Sequence, residues 1–263
     1  MKVDREKAQK VFENYINEYD LTKDMIRLKA EHTFRVSSLC EEIARSLELP
    51  KEETDLAWLI GLLHDLGRFE QQKVYGTFND AISIDHAKYG AELLFGNRDE
   101  NGTVSPISIR DFTADPSEDE VIRTAVYYHS AYRLPEDLDE RTGMFCNLIR
   151  DADKIDIIRV NVEFPLEEIY HISRKELYGG QVSEAVMDSF EEGHAVLRSL
   201  KKTGVDNVVG HISLFFELVY PKSRQIMREQ GYLDRLMNFS SENPVTRAQF
   251  ARIREKMNRE YGF

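Results

Sequence analysis

The chain has 263 residues, 41% of them hydrophobic, and carries 35 Lys+Arg against 47 Asp+Glu, a net charge of −12. That length supports one large domain or two small ones with a sizeable core. The acidic balance argues against a partner that is a nucleic-acid polymer, which needs a basic face, and leaves room for a small anionic substrate held by local Arg and Lys.

The first residues, Met1–Lys7, contain no apolar stretch of the signal-peptide kind. No apolar run reaches the ~20 residues needed to cross a bilayer. A cytoplasmic chain with no membrane partner is therefore the expectation. Cys40 and Cys146 sit among apolar neighbours in predicted helices and read as buried, reduced thiols.

Residues 3–19 read as a short helix with Val11, Phe12, Tyr15, Ile16 and Tyr19 on its apolar side. Asp20 or Thr22 can cap a long helix running to about residue 48, which Pro50 ends. The next helix, 51–66, contains Leu56–Leu63, apolar almost all round, and so reads as buried on most faces. Gly67 is placed as its stop. Residues 67–82 read as a loop, and Ser83 or Asp85 caps a helix over 86–95. From Gly96 to Ser117 the turn residues Asn101-Gly102, Pro106 and Asp115-Pro116 indicate loop, with Val104–Ile109 as a short hairpin arm. Helices follow at 118–131, 137–160, 166–177, 181–201, 205–219, 222–238 and 246–260, with Pro221 as a break or kink. No strand pattern is long enough for a sheet. The fold class is all-α: a helical bundle with additional C-terminal helices. The expected division is a core over 1–162 and a C-terminal extension, 163–263, packed on it.

Polar residues interrupt several apolar stripes. His32 falls at helical spacing between Leu28 and Val36 on the stripe Met25, Leu28, Val36, Leu39, Ile43, Leu47. His64 and Asp65 close the most apolar helix. Asp151 completes the stripe Met144, Leu148, Ile155, Ile158. His129 follows Ile122 and Ala125, and His86 precedes Gly90 and Leu93. A buried carboxylate needs a counter-charge. One cation would account for all of these inward-facing groups together. Gly90 would let something bulky, or another helix, approach closely.

The ordered set His32, His64-Asp65 and Asp151, the last at the head of Asp151-Ala152-Asp153-Lys154, resembles the HD superfamily of metal-dependent phosphohydrolases. The likeness spans roughly residues 24–160, with the contexts Glu31-His32-Thr33-Phe34-Arg35-Val36 and Leu62-Leu63-His64-Asp65-Leu66-Gly67-Arg68-Phe69. Asp85–Leu94 and Val126–His129 look like the segments that supply second-metal ligands in dinuclear members. The resemblance implies a helical HD-domain bundle in which His32, His64, Asp65 and Asp151 hold one ion. It implies a second ion on Asp65, His86 and His129, with Asp65 bridging. Arg68 and Lys154 are the candidates for contact with a substrate phosphate. Asp153 reads as an outer acceptor for a ligating imidazole or as a solvated group. The Gly-Tyr-Pro tripeptide of the cyclic-dinucleotide branch is absent after His129.

His and Asp ligands suit one or two divalent ions among Mn²⁺, Fe²⁺, Co²⁺, Ni²⁺, Zn²⁺ and Mg²⁺. The function implied is hydrolysis of a phosphoester or phosphoanhydride in a small molecule, a nucleotide among the candidates, by a metal-activated hydroxide at Asp65. The alternatives are an HD-type di-iron oxygenase and a non-catalytic ligand-binding module. A homodimer is compatible with the sequence. His171, His194 and His211 lie outside the likeness and read as structural.

Overall fold

The computed structural model describes residues 1–96 and 105–263, and among them there is no strand. The all-helical expectation holds. The turn Asn101-Gly102 and Val104 of the expected hairpin arm lie outside the described residues. Ile107 is not in a strand, and Ile109 begins a helix.

The chain divides into two compact units, Met1–Asp153 and Lys154–Phe263. The division falls somewhat earlier than the expected boundary at residue 162. The first unit holds α1 (Arg5–Ile16), α2 (Asp24–Ser46), α3 (Lys51–Leu63), α4 (Leu66–Tyr75), α5 (His86–Phe95), α6 (Ile109–Phe112), α7 (Asp119–Tyr128) and the larger part of α8 (Glu140–Glu163).

The centre of this unit is the pair α2 and α3. Every residue of α3 from Thr54 to Leu63 is buried, as a helix apolar all round requires. The two helices meet closely at Gly61, where a Cβ would lie 2.6 Å from the Ser37 Cα. Ser37 Oγ donates to the Trp58 carbonyl at 2.8 Å across the same contact.

The chain does not become a loop after Gly67. It breaks at His64 and Asp65 and resumes as α4, of which Gly67 is a member. Gly67 is needed for approach rather than for a stop. A Cβ there would lie 2.2 Å from the His86 carbonyl oxygen and 2.7 Å from the Gly90 nitrogen. The helix that Gly90 admits is thus α4. Helix α1 secures this region from the other side. Tyr15 Oη donates to the Leu66 carbonyl at 3.1 Å, and Phe12, Tyr15 and Tyr19 pack around Phe69. Asp85 caps α5 as expected, accepting from the Ala87 and Lys88 nitrogens.

The second unit takes the end of α8 and then α9 (Leu166–Tyr170), α10 (Arg174–Gly179), α11 (Glu184–Glu191), α12 (Gly204–Ile212), α13 (Pro221–Glu229), α14 (Tyr232–Met237) and α15 (Pro244–Tyr261). Its helices are shorter than the sequence periodicity suggests. The expected helix 222–238 is two helices parted by Gly231 at φ 70°, a conformation glycine adopts without strain. Pro221 opens α13 at its first position rather than kinking it. Both cysteines are buried free thiols. Among the described residues, no helix is long and apolar enough to cross a membrane.

Candidate metal centre

The break between α3 and α4 places Asp65 where four imidazoles converge. His32 comes from α2, His64 from the end of α3, His86 from the first position of α5 and His129 from the end of α7. All four rings and Asp65 are buried. The two carboxylate oxygens of Asp65 face different partners. Oδ2 lies 3.6 Å from Nε2 of both His32 and His64. Oδ1 lies 3.4 Å from His86 Nε2 and 3.7 Å from His129 Nε2.

The rings are oriented from behind. His64 Nδ1 donates to the Gly61 carbonyl and His129 Nδ1 to the Val126 carbonyl, each at 2.7 Å. His86 Nδ1 donates to Asp80 Oδ2 at 2.7 Å. Each of these three rings therefore turns Nε2 inward, and in the neutral form that atom carries a lone pair. Burial, opposed by Asp65, brings the His64 imidazole down to about 3. Burial and then the charge of Arg68 bring His86 down to about 4. Both rings are thus neutral, the form that binds metal ions, at ordinary pH.

His64 Nε2 is buried with no hydrogen-bond partner. It stands 3.9 Å from Asp153 Oδ1 as well as 3.6 Å from Asp65 Oδ2. A lone pair facing two carboxylates is repulsive unless a cation lies among them. This donor set, with outward hydrogen bonds fixing each imidazole, fits one or two divalent ions.

Asp65 itself has cationic neighbours, Lys29 the nearer. Lys29 Nζ, on α2, lies 2.7 Å from Oδ2. Burial alone would raise the Asp65 carboxyl; Lys29, followed by His64, His129 and His86, outweighs it and holds the group well below the usual carboxylate range. Arg68 approaches Oδ1, with Nε at 3.7 Å. Its Nη1 donates to Gln71 Oε1, the Phe78 carbonyl and Asp80 Oδ1, so one side of the guanidinium braces the acceptor of His86. Its Nη2 has no hydrogen bond among the described residues.

The carboxylate seen beside the histidines is Asp153, whose Oδ1 lies 3.1 Å from His32 Nε2, whereas the sequence points to Asp151. His32, His64 and Asp153 offer ligand atoms within 4.8 Å of one another, as do His64, Asp65 and His129. Asp151 enters neither group, although it is fully buried. Helix α8 is buried on most sides. The stripe Thr142, Cys146, Ile149, Asp153, Asp156 runs at the same 4-3-4-3 spacing as the one through Asp151, and of its members all but Asp153 are buried. Met144, on the Asp151 stripe, is only half-buried.

Asp80, Asp85 and His86 form a third such group. Hydrogen bonds within the protein already engage its acids, Asp80 with His86 and Asp85 with the start of α5. Lys29 and Asp80 were not legible as site residues. Lys29 lies three residues before His32, one helical turn away on α2, which is a usable signal. Asp80 opens the three-residue 3-10 turn Asp80–Ile82, too short to give one. Lys154 follows Asp153 on α8, half-buried, as the first residue of the second unit.

Residues 30–159 match the family model of the HD domain. They form an HD domain. The matched stretch contains every residue of the cluster except Lys29. The HD domain belongs to a superfamily of metal-dependent hydrolases, and the His/Asp groups are of the kind that could hold its metal. The chain finds no match among curated proteins or among solved structures.

Proposed function

We propose that the protein is a metal-dependent phosphohydrolase acting on a small phosphorylated compound, with nucleotides among its candidate substrates. The observation that carries this reading is the division of labour at Asp65. One oxygen faces His32 and His64 with Asp153 beyond them, and the other faces His86 and His129. That arrangement suits a carboxylate shared between two ion sites, the second completed by the two later histidines.

One or two divalent ions, when bound, would supply Lewis-acid polarisation of a phosphoryl oxygen and water ionised near neutral pH. The protein's own residues do the rest. His32, His64, Asp65 and Asp153 would hold the first ion, and Asp65, His86 and His129 the second. His64 and His86, neutral at ordinary pH, keep their donor atoms ready without releasing protons. Lys29 and Arg68 add positive charge on the two sides of Asp65, where a phosphoryl group gaining negative charge would be stabilised. Arg68 Nη2 is the atom offered to a substrate phosphate. Lys154 is proposed for the same role from the family likeness.

The test is metal analysis of protein purified without added metal, followed by a panel of phosphomonoesters, phosphodiesters and nucleotides with Mn²⁺, Fe²⁺, Co²⁺ and Mg²⁺. Retained transition metal and turnover of one phosphate class support the reading. Inactivity on every phosphate overturns it, and O₂ uptake with an organic substrate would replace it by an oxygenase.

A further inference from the structure

We infer that the second unit carries a separate binding cleft for a small ligand bearing two or more linked phosphate groups. The cleft has a volume of about 990 Å³ and is formed wholly by residues between Ile172 and Asn207, from α10, the segment before α12 and the first turn of α12. That volume matches small-molecule sites.

Its lining is cationic: Lys175, Arg198, Lys201 and Lys202 all face it. The whole chain is acidic at −12, so such a concentration of positive charge runs against the average. Lys175, Lys201 and Lys202 have no side-chain ion pair among the described residues. Glu176, the one acid in the lining, accepts from the Ser173 nitrogen at 2.9 Å and hydroxyl at 2.7 Å. Asp206, the nearest buried carboxylate, takes four hydrogen bonds, from the Ser183 nitrogen and hydroxyl and from the Lys202 and Thr203 nitrogens. Both acids accept from backbone and hydroxyl donors, and neither forms an ion pair with the lysines of the cleft.

Lys201 is the telling member. Its side chain lies across Gly210, where a Cβ would come within 2.5 Å of both Cε and Nζ. Glycine at that position lets the lysine fold down beside Arg198. Burial, and after it the charge of Arg198, draws the ammonium below its ordinary value, with Asp206 opposing. A half-buried ammonium with no ion pair of its own is unfavourable unless an anion joins it. Three lysines without ion pairs around one cleft exceed what a single phosphate needs and suit a di- or triphosphate, whose oxygens accept charge-assisted hydrogen bonds. Asn207, whose amide nitrogen gives only one of its two hydrogens to the Gly204 carbonyl, adds a neutral donor, and the Gly179 backbone is open to the cleft, since a Cβ there would meet nothing within 4 Å. No aromatic ring lines it. Single-stranded nucleic acids are held by stacking on such rings, so the recognised feature is the phosphate chain rather than a base or a polymer.

The probe is inorganic tripolyphosphate, titrated calorimetrically into the full-length protein in excess EDTA, which removes metal-dependent binding from the readout. Saturable binding is expected, with citrate and inorganic phosphate each roughly tenfold weaker or more. Lys201→Met should weaken tripolyphosphate roughly tenfold, and the exposed Lys175→Met severalfold with an unchanged melting temperature. Asp65→Ala should leave the affinity unchanged. No binding in EDTA, equal binding of citrate, preference for a single-stranded oligonucleotide, loss with Asp65→Ala, or full affinity in both lysine variants would each overturn the inference.

Discussion

The Nε2 atoms of His86 and His129 lie 3.0 Å apart, while each ring commits its Nδ1 to an outward acceptor, Asp80 for His86 and the Val126 carbonyl for His129. With both Nδ1 atoms donating outward, the two facing Nε2 atoms are left to serve as acceptors, an arrangement that a shared cation makes favourable. Asp80 is then the outer partner that fixes the His86 ring. Replacing an outer partner of a ligating histidine costs about 10–100-fold in metal affinity. Asp80→Ala is expected to show a loss of that size in metal titration, with the helical circular-dichroism signal retained. Unchanged affinity would leave Asp80 a mere loop contact.

Asp153 and Asp151 offer a sharper test, because the two acids lie two residues apart on one helix. Asp153→Asn should reduce bound metal and phosphatase turnover by roughly tenfold or more, since it removes a charged ligand beside His32. Asp151→Asn should keep the metal and instead lower stability by about 1–3 kcal/mol, the cost of disturbing a fully buried polar group. The reverse pattern, measured by metal analysis and urea unfolding, would reinstate Asp151.

That contrast also marks what the sequence could and could not say. Helix existence, the burial of α3 and the inward turn of His32, His64, His86 and His129 all follow from periodicity, because a histidine on an apolar stripe has one face to occupy. Helix α8 defeats the same reasoning, since a helix buried on most sides has several stripes and either acid completes one. A glycine after an apolar run usually signals a helix stop, which is what the sequence suggests for Gly67. Its role is to admit the backbone of α5, which no local pattern encodes. Asp80 reaches His86 from a three-residue 3-10 turn, too short to leave a periodic trace.

Lys29 pairs with Asp65 at 2.7 Å, with Lys29 20% and Asp65 2% exposed. Lys29→Met leaves a buried carboxylate without its nearest cation, so the metal-free protein should lose about 2 kcal/mol, less than for a fully buried pair because water can reach the lysine position. Divalent metal offers the same carboxylate a replacement charge. The increase in melting temperature on adding Mn²⁺ should therefore be larger for the variant than for the wild type. An equal increase would separate Lys29 from the metal centre.

Glycines in the same unit should respond in opposite directions. Gly67→Ala forces the His86 carbonyl and the Gly90 backbone away, a shift expected to cost about 1–3 kcal/mol and to loosen the His86 position. Gly143 lies within α8, and a Cβ there meets nothing within 4 Å. Gly143→Ala should stabilise by about 0.5–1 kcal/mol through helix propensity alone. Urea midpoints for the two variants should move to opposite sides of the wild type, and a shared direction would contradict the packing described.

His211 governs a pH dependence within the second unit. It stacks on Tyr170 with ring centroids 5.5 Å apart, and its Nδ1 donates to the Tyr170 hydroxyl at 2.8 Å, which in turn donates to Asn161 Oδ1. Burial, then the charge of Lys201, pushes the imidazole down to about 3, against about 6.5 in an unfolded chain. Between those values the unfolded state binds the extra proton and the folded state does not, so stability rises with pH through that window. The contribution is complete above about 6.5 and is lost progressively as the pH falls toward 3. His211→Asn removes the titration while keeping a side-chain donor for Tyr170. Measured from pH 7.5 to 4.5, the wild type's advantage in melting temperature over this variant should shrink steadily below about pH 6.5. An advantage that stays constant would mean the folded and unfolded chains bind that proton alike, and that His211 is open to water.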